Sequence, residues 1–194
     1  DQWRIPSNEN QNKISNYSMD FDGTSDKIEF GNVNSFERTD SFSLSCWVNL
    51  DSISTQFVLS KMPNSSPFRG YILYIVSGRL QFSFNANYPS DRIQVNSVGT
   101  ISAGSWNHLA FTYDGSSSRT GVKLYINSVE QSVTFDGPVS VSGSTINTAD
   151  FQISGRGTSS LVDGKIDQVN VFDYTLSQAQ VSQLGAAEGY AFKF

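Results

Sequence analysis

Apolar side chains spaced two residues apart recur along this chain and restrict its fold more than any other feature. The longest run is 42–50 (FSLSCWVNL), in which every second residue is apolar. A period of two places these side chains on one face of a β-strand. Comparable segments follow at a spacing of roughly ten residues, separated by Gly, Asn, Asp and Ser. The pattern predicts an all-β sandwich or barrel.

Turn residues between these segments predict two hairpins. Ser77-Gly78 separates residues 71–76 from residues 79–84, which is the spacing of a two-residue hairpin loop. Asp22-Gly23 ends an alternating segment that starts near residue 19, and a second alternation begins at residue 27. We therefore expect the first two strands to form a hairpin.

The sequence predicts one main domain with short flanking segments. Residues 1–16 are polar and are interpreted as an N-terminal arm or a linker from a preceding domain. Residues 17–185 form the predicted domain, and residues 186–194 form a C-terminal tail. One stretch within the domain indicates a helix, residues 178–184, for which Ser177 is a suitable N-cap.

Composition excludes several classes of function. Charged residues make up only 16% of the chain, and the net charge is −5. The 13 Lys and Arg residues are scattered singly, whereas nucleic-acid binding needs clustered basic side chains. No apolar run approaches the ~18 residues of a membrane-spanning helix. Cys46 is the only cysteine, so no disulfide can form within the chain, and we expect this thiol to be buried beside Trp47.

Four stretches, in this order, resemble the laminin-G-like domains of the concanavalin A-like lectin and glucanase superfamily. They are 19–23 (MDFDG) with 26–28, 42–48 (FSLSCWV), 105–115 (SWNHLAFTYDG) with 123–127, and 153–156 (ISGR) with 163–184. Ser128 and Gln168 stand where that family usually has Gly and Glu. The resemblance implies a jelly-roll sandwich of two antiparallel sheets with a curved concave face.

The same resemblance implies a class of partner and a location. Such domains typically bind glycans or proteins, or serve as virion components, and they often hold a structural calcium. The opening run 3–8 (WRIPSN) also resembles marine viral and microbial proteins. We therefore expect an extracellular or virion-associated protein.

Calcium is the cofactor that the resemblance and the acidic composition favour. Asp20 and Asp22 point the same way from the first strand, and Asp167 lies in the last long strand. Because the first and last strands of such jelly rolls often lie side by side, these carboxylates and the Gly23 carbonyl form the predicted metal site. The alternative is that Asp22 is a turn residue and Asp167 is a buried acid satisfied by backbone donors.

An exposed aromatic side chain on a loop is the candidate for sugar binding. Tyr88 could stack on a sugar ring, and Asn87, Asp91 and Arg92 could supply hydrogen bonds. A similar long loop contains residues 68–69 (FR). The alternative is that Tyr88 is an isolated surface aromatic without a ligand.

Catalytic motifs are absent from the sequence. Glucanases of this superfamily carry a Glu-x-Asp-x-Glu strand, which places an acid and a nucleophile on one face. The Glu residues stand at positions 9, 29, 37, 130 and 188, none of them in that pattern. His108 is the single histidine, and we expect a structural, hydrogen-bonded strand residue. Arg156 belongs to no phosphate-binding loop, and we expect it to pair with an acid and order its own loop. We predict that the protein is not an enzyme.

These observations leave two functions open. The first is a non-catalytic module that recognises a glycan or a protein surface. The second is a structural subunit of a virion or matrix, whose surface contacts identical or other subunits. A hydrolase is a distant third, because no catalytic pair of acids is visible.

Overall fold

The computed structural model describes residues 18–186, and these residues form a sandwich of two antiparallel sheets. The six-stranded sheet has the order β1 (Met19–Asp22), β13 (Asp163–Phe172), β3 (Phe42–Leu50), β8 (Asn107–Tyr113), β9 (Val122–Ile126) and β10 (Val129–Glu130). The seven-stranded sheet has the order β11 (Val133–Asp136), β7 (Asp91–Thr100), β6 (Arg79–Asn87), β5 (Gly70–Val76), β4 (Gln56–Lys61), β12 (Gln152–Ile153) and β2 (Ile28–Glu29). The prediction of an all-β, two-sheet jelly roll with one short helix is confirmed.

The core lies between the two sheets, where alternate side chains of both layers face inward. Its centre is Phe42 on β3, which is fully buried. Phe42 contacts aromatic rings from both sheets and from a loop, with centroids 4.3–6.3 Å away: Phe36, Tyr71, Phe82, Phe84, Phe111 and Tyr113. Cys46 is buried in the same core, as expected.

The helix α1 (Gln178–Gly185) covers part of the outer face of the six-stranded sheet. Ser177 and Gln180 form a reciprocal capping box at its start, which confirms Ser177 as the N-cap. Val181 is fully buried and packs against Ala110 and Tyr125 of the sheet. Among the described residues, no helix is long and apolar enough to cross a membrane.

The hairpin predicted between the first two strands is wrong. β1 pairs with β13 in the six-stranded sheet, whereas β2 pairs with β12 in the other sheet. The Asp22-Gly23 turn therefore starts a crossing from one layer to the other. Alternation identifies a strand, but it does not determine which sheet the strand joins. The prediction that the first strand lies beside the last long strand is confirmed, because β1 pairs with β13.

A bulge in β13 changes which of its side chains face the core. The pairing register with β3 shifts between Asp167 and Asn170, and Gln168 has a φ of 47°. Val169 and Val171 consequently pack against the core, while Asp167 is only half-buried. Simple alternation would place Asp167 on the same inward face as these valines and bury it, but the extra residue of the bulge reverses the alternation.

The hairpin at Ser77-Gly78 is confirmed. β5 pairs with β6, and the two turn residues have φ values of 50° and 76°. Two positive φ values in succession give a turn whose twist matches that of the strands. Asn127 and Ser128 form a similar turn with φ values of 50° and 66°, so Ser128 adopts the conformation that glycine tolerates best.

Two predictions about the ends of the chain remain untested. The predicted arm, residues 1–16, and most of the predicted tail, residues 187–194, lie outside the described residues.

Candidate functional site

The outer face of the seven-stranded sheet carries rows of polar and aromatic side chains. Because the core takes every second residue, the strand register places the remaining residues side by side on this face. One row contains Phe57, Tyr74, Gln81, Asn96 and Thr134. The next row contains Ser60, Ile72, Ser83, Gln94 and Asp136.

Two loops add further side chains above these rows. Arg156, from the loop after β12, lies between two aromatic rings. Its guanidinium carbon is 5.2 Å from the ring centre of Phe57 and 4.6 Å from that of Phe68. Both distances are in the range of cation–π contacts. The prediction that Arg156 pairs with an acid is therefore wrong for the described residues, in which it forms no salt bridge.

The same contacts continue across the sheet. Phe68 meets Tyr88 edge-on, with ring centres 6.0 Å apart, and the guanidinium carbon of Arg92 lies 4.9 Å from the Tyr88 ring centre. Arg92 is itself paired with Asp136, at 3.1 Å between Nη2 and Oδ2. We call the continuous series Phe57, Arg156, Phe68, Tyr88 and Arg92 the aromatic–arginine row.

Tyr74 lies beside this row. Its ring meets Phe57 edge-on at 5.7 Å between centres. Burial raises the pKa of the Tyr74 phenol, with the neighbouring Arg92 acting in the opposite direction. The phenol therefore stays protonated at neutral pH and is available as a hydrogen-bond donor.

Two nitrogen atoms of the row lack partners. Among the described residues, the Nε atoms of Arg92 and Arg156 are buried and make no hydrogen bond. An unpaired buried donor is costly, because the group has lost water without gaining a partner. Such atoms are available to an acceptor that a ligand could bring.

Hydrogen bonds of the backbone fix the loops that carry the row. The Tyr88 amide donates to the Pro67 carbonyl at 3.0 Å, and the Asn85 side chain donates to the Phe68 carbonyl at 3.1 Å. Arg156 and Ser159 exchange two backbone hydrogen bonds of 3.1 and 3.2 Å. The rings and the guanidinium are thus held in place before any ligand arrives, which lowers the entropic cost of binding.

The sequence-predicted ligand residues separate into two groups. Tyr88 and Arg92 belong to the aromatic–arginine row. Asn87 is exposed at the end of β6, while Asp91 accepts hydrogen bonds from the Ser142 amide and hydroxyl and from the Gly143 amide. Asp91 therefore anchors a loop, because both of its carboxylate oxygens already accept hydrogen bonds from residues 142–143. As binding residues, all four stay predictions.

Sequence reasoning missed Phe57 and Arg156, which belong to the row, and Tyr74, which lies beside it. Phe57 and Tyr74 were given no functional role, and Arg156 was expected to pair with an acid. The period of two in β4 and β5 could have placed the first two on the outer face. No sequence signal could have placed Arg156 between two phenylalanines, because its loop is distant in the chain from both.

The predicted calcium ligands do not converge. The Asp22 carboxylate accepts the backbone amides of residues 24–26 and the hydroxyls of Thr24 and Ser25, all within 3.0 Å. Asp20 is exposed and lies 3.9 Å from Lys165. Asp167 accepts the amide of Gln168, and it lies four residues along β13 from the partner of Asp22, a distance of about 13 Å.

These positions do not fit the oxygen-rich shell that calcium requires. Within residues 18–186, no three acidic, histidine or cysteine side chains are grouped as a metal site would need. The Gly23 amide donates to Val162, which ties the same turn to the loop before β13. The carboxylate of Asp22 acts here as the turn residue of the alternative interpretation.

We expect the Asp22→Asn substitution to lower the melting temperature equally in calcium and in EGTA. Backbone and hydroxyl donors hold the pKa of the Asp22 carboxyl well below its usual value. The charged form therefore stabilises the fold above pH about 4, and this stabilisation is lost as the pH falls further. Thermal melts at neutral and acid pH measure both effects, with Asp20→Asn as the matched control. A melting temperature that rises with calcium only in the unmodified chain would contradict this assignment.

A separate polar cleft lies near this turn. It has a volume of about 330 Å³ and is lined by hydroxyl side chains, with Asp22, Asp163 and Leu161 also present. Among residues 18–186, no aromatic ring lines it. The cleft therefore lacks the stacking surface that the outer face of the seven-stranded sheet offers.

His108 is buried on the other side of the molecule. It pairs with Trp47 across β8 and β3 and lies beneath the end of α1, close to Gly185. Among the described residues, neither ring nitrogen has a hydrogen-bond partner. His108 is a structural strand residue as expected, but the expected hydrogen bond of its ring is not found.

The fold is that of a lectin-like β-sandwich. The chain belongs to the concanavalin A-like lectin/glucanases superfamily, whose laminin G family model matches residues 22–182. No curated protein matches the sequence.

Several solved structures share the fold. The CBM40 domain of the Ruminococcus gnavus IT-sialidase, bound to α2,3-sialyllactose, has a TM-score of 0.61 at 14% identity, over 89% of this chain and 98% of that one. Domain 4 of AbnA, an extracellular arabinanase from Geobacillus stearothermophilus, was solved in complex with arabinotriose. It has a TM-score of 0.58 at 19% identity, over 87% of this chain and 76% of that one.

The binding domain of Paraclostridial Mosquitocidal Protein 1 is also similar, with a TM-score of 0.61 at 17% identity over 82% of this chain. The chain spans only 40% of that structure. At these identities, the similarity establishes a common fold.

Proposed function

We propose that the protein is a non-catalytic module that binds a glycan on the outer face of its seven-stranded sheet. The observation that carries the proposal is the aromatic–arginine row, which combines flat apolar rings with fixed hydrogen-bond donors. The CH faces of sugar rings cover aromatic rings well, because both surfaces are flat and gain by excluding water. The glycan-bound structures of the two carbohydrate-binding relatives add support at the level of the fold.

The polar groups beside the row suit the hydroxyls of a sugar. Gln94 donates to Asn96 at 3.3 Å, and both of these side chains are half-buried on the outer face. Each of the two amides has more donor and acceptor capacity than this bond uses. A few fixed polar groups around an apolar platform are typical of ligand sites.

The acids on this face are unsuited to glycoside hydrolysis. Glu29 on β2 and Asp136 on β11 both point outward by their register, but six strand spacings separate them. That separation is about 29 Å at the usual distance between strands, whereas the acids of glycosidases are at most about 9.5 Å apart. We therefore propose binding without catalysis.

Assembly through the sheet edges is less favoured. The edge strands β2 and β10 have two residues each, and β1 and β11 have four. Short edges offer few free backbone groups to a second copy. A role outside the cytoplasm, extracellular or on a virion, fits a glycan ligand and is proposed with it.

Alanine substitution of Phe68 or Tyr88 is expected to weaken glycan binding by at least about tenfold, since each removes a stacking ring from the centre of the site. A glycan array followed by calorimetry on the best ligand measures the effect. Tyr174→Ala is the matched control, because Tyr174 is 44% exposed and Tyr88 is 46% exposed. Binding that is equally strong in all three variants would exclude this face as the site.

A further inference from the structure

Arg156 is the one positive charge of the aromatic–arginine row without a compensating acid. Arg92 is paired with Asp136. For Arg156, the titratable groups that act on its charge are the phenols of Tyr74 and Tyr88, and no carboxylate within the described residues bridges to it. The aromatic–arginine row therefore carries one uncompensated positive charge, although the chain as a whole has a net charge of −5.

The guanidinium is held for an incoming anion. The rings of Phe57 and Phe68 remove water from its two sides, and less water means weaker screening of its charge. Its Nη1 points to the sulfur of Met62 at 3.4 Å, which is a weak acceptor. Its Nε is buried without a partner. A strong acceptor is therefore missing on the forked edge of the side chain.

We infer that the ligand of this site is an acidic glycan whose carboxylate binds Arg156. This inference rests on the proposed glycan-binding function and adds the chemical class of the sugar. A planar carboxylate matches the two parallel N–H groups of a guanidinium. The sugar ring next to it would stack on Phe68 and Tyr88, which lie beside Arg156 in the row.

Arg119, a basic side chain near the edge of the same sheet, does not compete for the role. Arg119 also stacks on a ring, with its guanidinium carbon 4.6 Å from the centre of Phe135. Its Nη1 is already bonded to the Gly137 carbonyl at 3.0 Å. Arg119 lies at the β11 edge and outside the aromatic–arginine row, so it serves as the matched control.

The test compares acidic sugars with uncharged counterparts. The probes are α2,3-sialyllactose against lactose, and trigalacturonate against its methyl ester, measured by calorimetry at low and moderate salt. We expect at least one acid to bind about tenfold more tightly than its counterpart. The preference should be lost in Arg156→Gln, reduced in Arg156→Lys, and kept in Arg119→Gln.

The possible outcomes distinguish a failure of the acidic-sugar inference from a failure of the proposed glycan-binding function. Equal affinity for acidic and neutral sugars, with Phe68→Ala still abolishing binding, would overturn the acidic class but keep the glycan site. An acid preference that survives in Arg156→Gln would also overturn it. Binding of none of the probes or of any arrayed glycan would overturn both. Melting curves of each variant confirm that it is folded, and Arg156→Lys preserves the charge if Arg156→Gln does not fold.

Discussion

Replacing Phe42 with Ala should lower the free energy of unfolding by about 4 kcal/mol, the middle of the range for buried aromatic residues. Phe42 is fully buried and touches Phe111 and Tyr113 of its own sheet as well as Tyr71, Phe82 and Phe84 of the facing sheet. Its removal leaves a cavity between two layers that cannot collapse without moving paired strands.

Chemical denaturation measures this loss. Phe30→Ala is the control, because Phe30 is 50% exposed and should cost less than about 1 kcal/mol. A Phe42→Ala variant that loses no more stability than Phe30→Ala would show that the two sheets do not pack through this aromatic centre.

Lowering the pH from 7 to 4 should remove about 3 kcal/mol of stability through His108 alone. Burial lowers the pKa of the His108 imidazole to about 4, from a usual value of 6.5. Between these values the unfolded chain binds a proton that the folded chain does not. The free energy of unfolding therefore falls as the pH decreases through this window, and it is fully retained above pH about 6.5.

Because His108 is the single histidine of the chain, no other imidazole contributes to the pH dependence in this window. Denaturation curves of the native chain and of His108→Gln between these pH values isolate its contribution, because carboxylates contribute equally to both. Among the described residues, Trp47 and the end of α1 at Gly185 lie against the ring. Parallel pH profiles of the two chains would contradict burial of a neutral imidazole.

Much of the architecture could be predicted from local signals. The run 42–50 became β3 with the expected inward face, and Ser77-Gly78 became a tight turn between β5 and β6. The helix began at the expected N-cap. Each of these depends on residues near one another in the chain, where side-chain period and turn chemistry act directly.

The candidate site was predicted only in part. Tyr88 was named as an exposed aromatic ring on a loop, and Arg92 was named as a neighbouring side chain that could supply hydrogen bonds. Phe68 was noted as part of a similar long loop, but its place beside Tyr88 was not predicted. Asp91 was also named, but its carboxylate is used by the backbone of residues 142–143. Local sequence shows which side chains can bind a sugar, but it does not show which of them are already bonded within the fold.

The sequence by itself determined that this chain forms short strands with one apolar face and closes as a sandwich, because burial of that face requires a second sheet. Only the tertiary structure decided which strands share a sheet, where the bulge in β13 reverses a face, and that Arg156 lies between Phe57 and Phe68. Those outcomes depend on contacts between residues far apart in the chain. Pairing and packing select such contacts from many that the same alternation would allow.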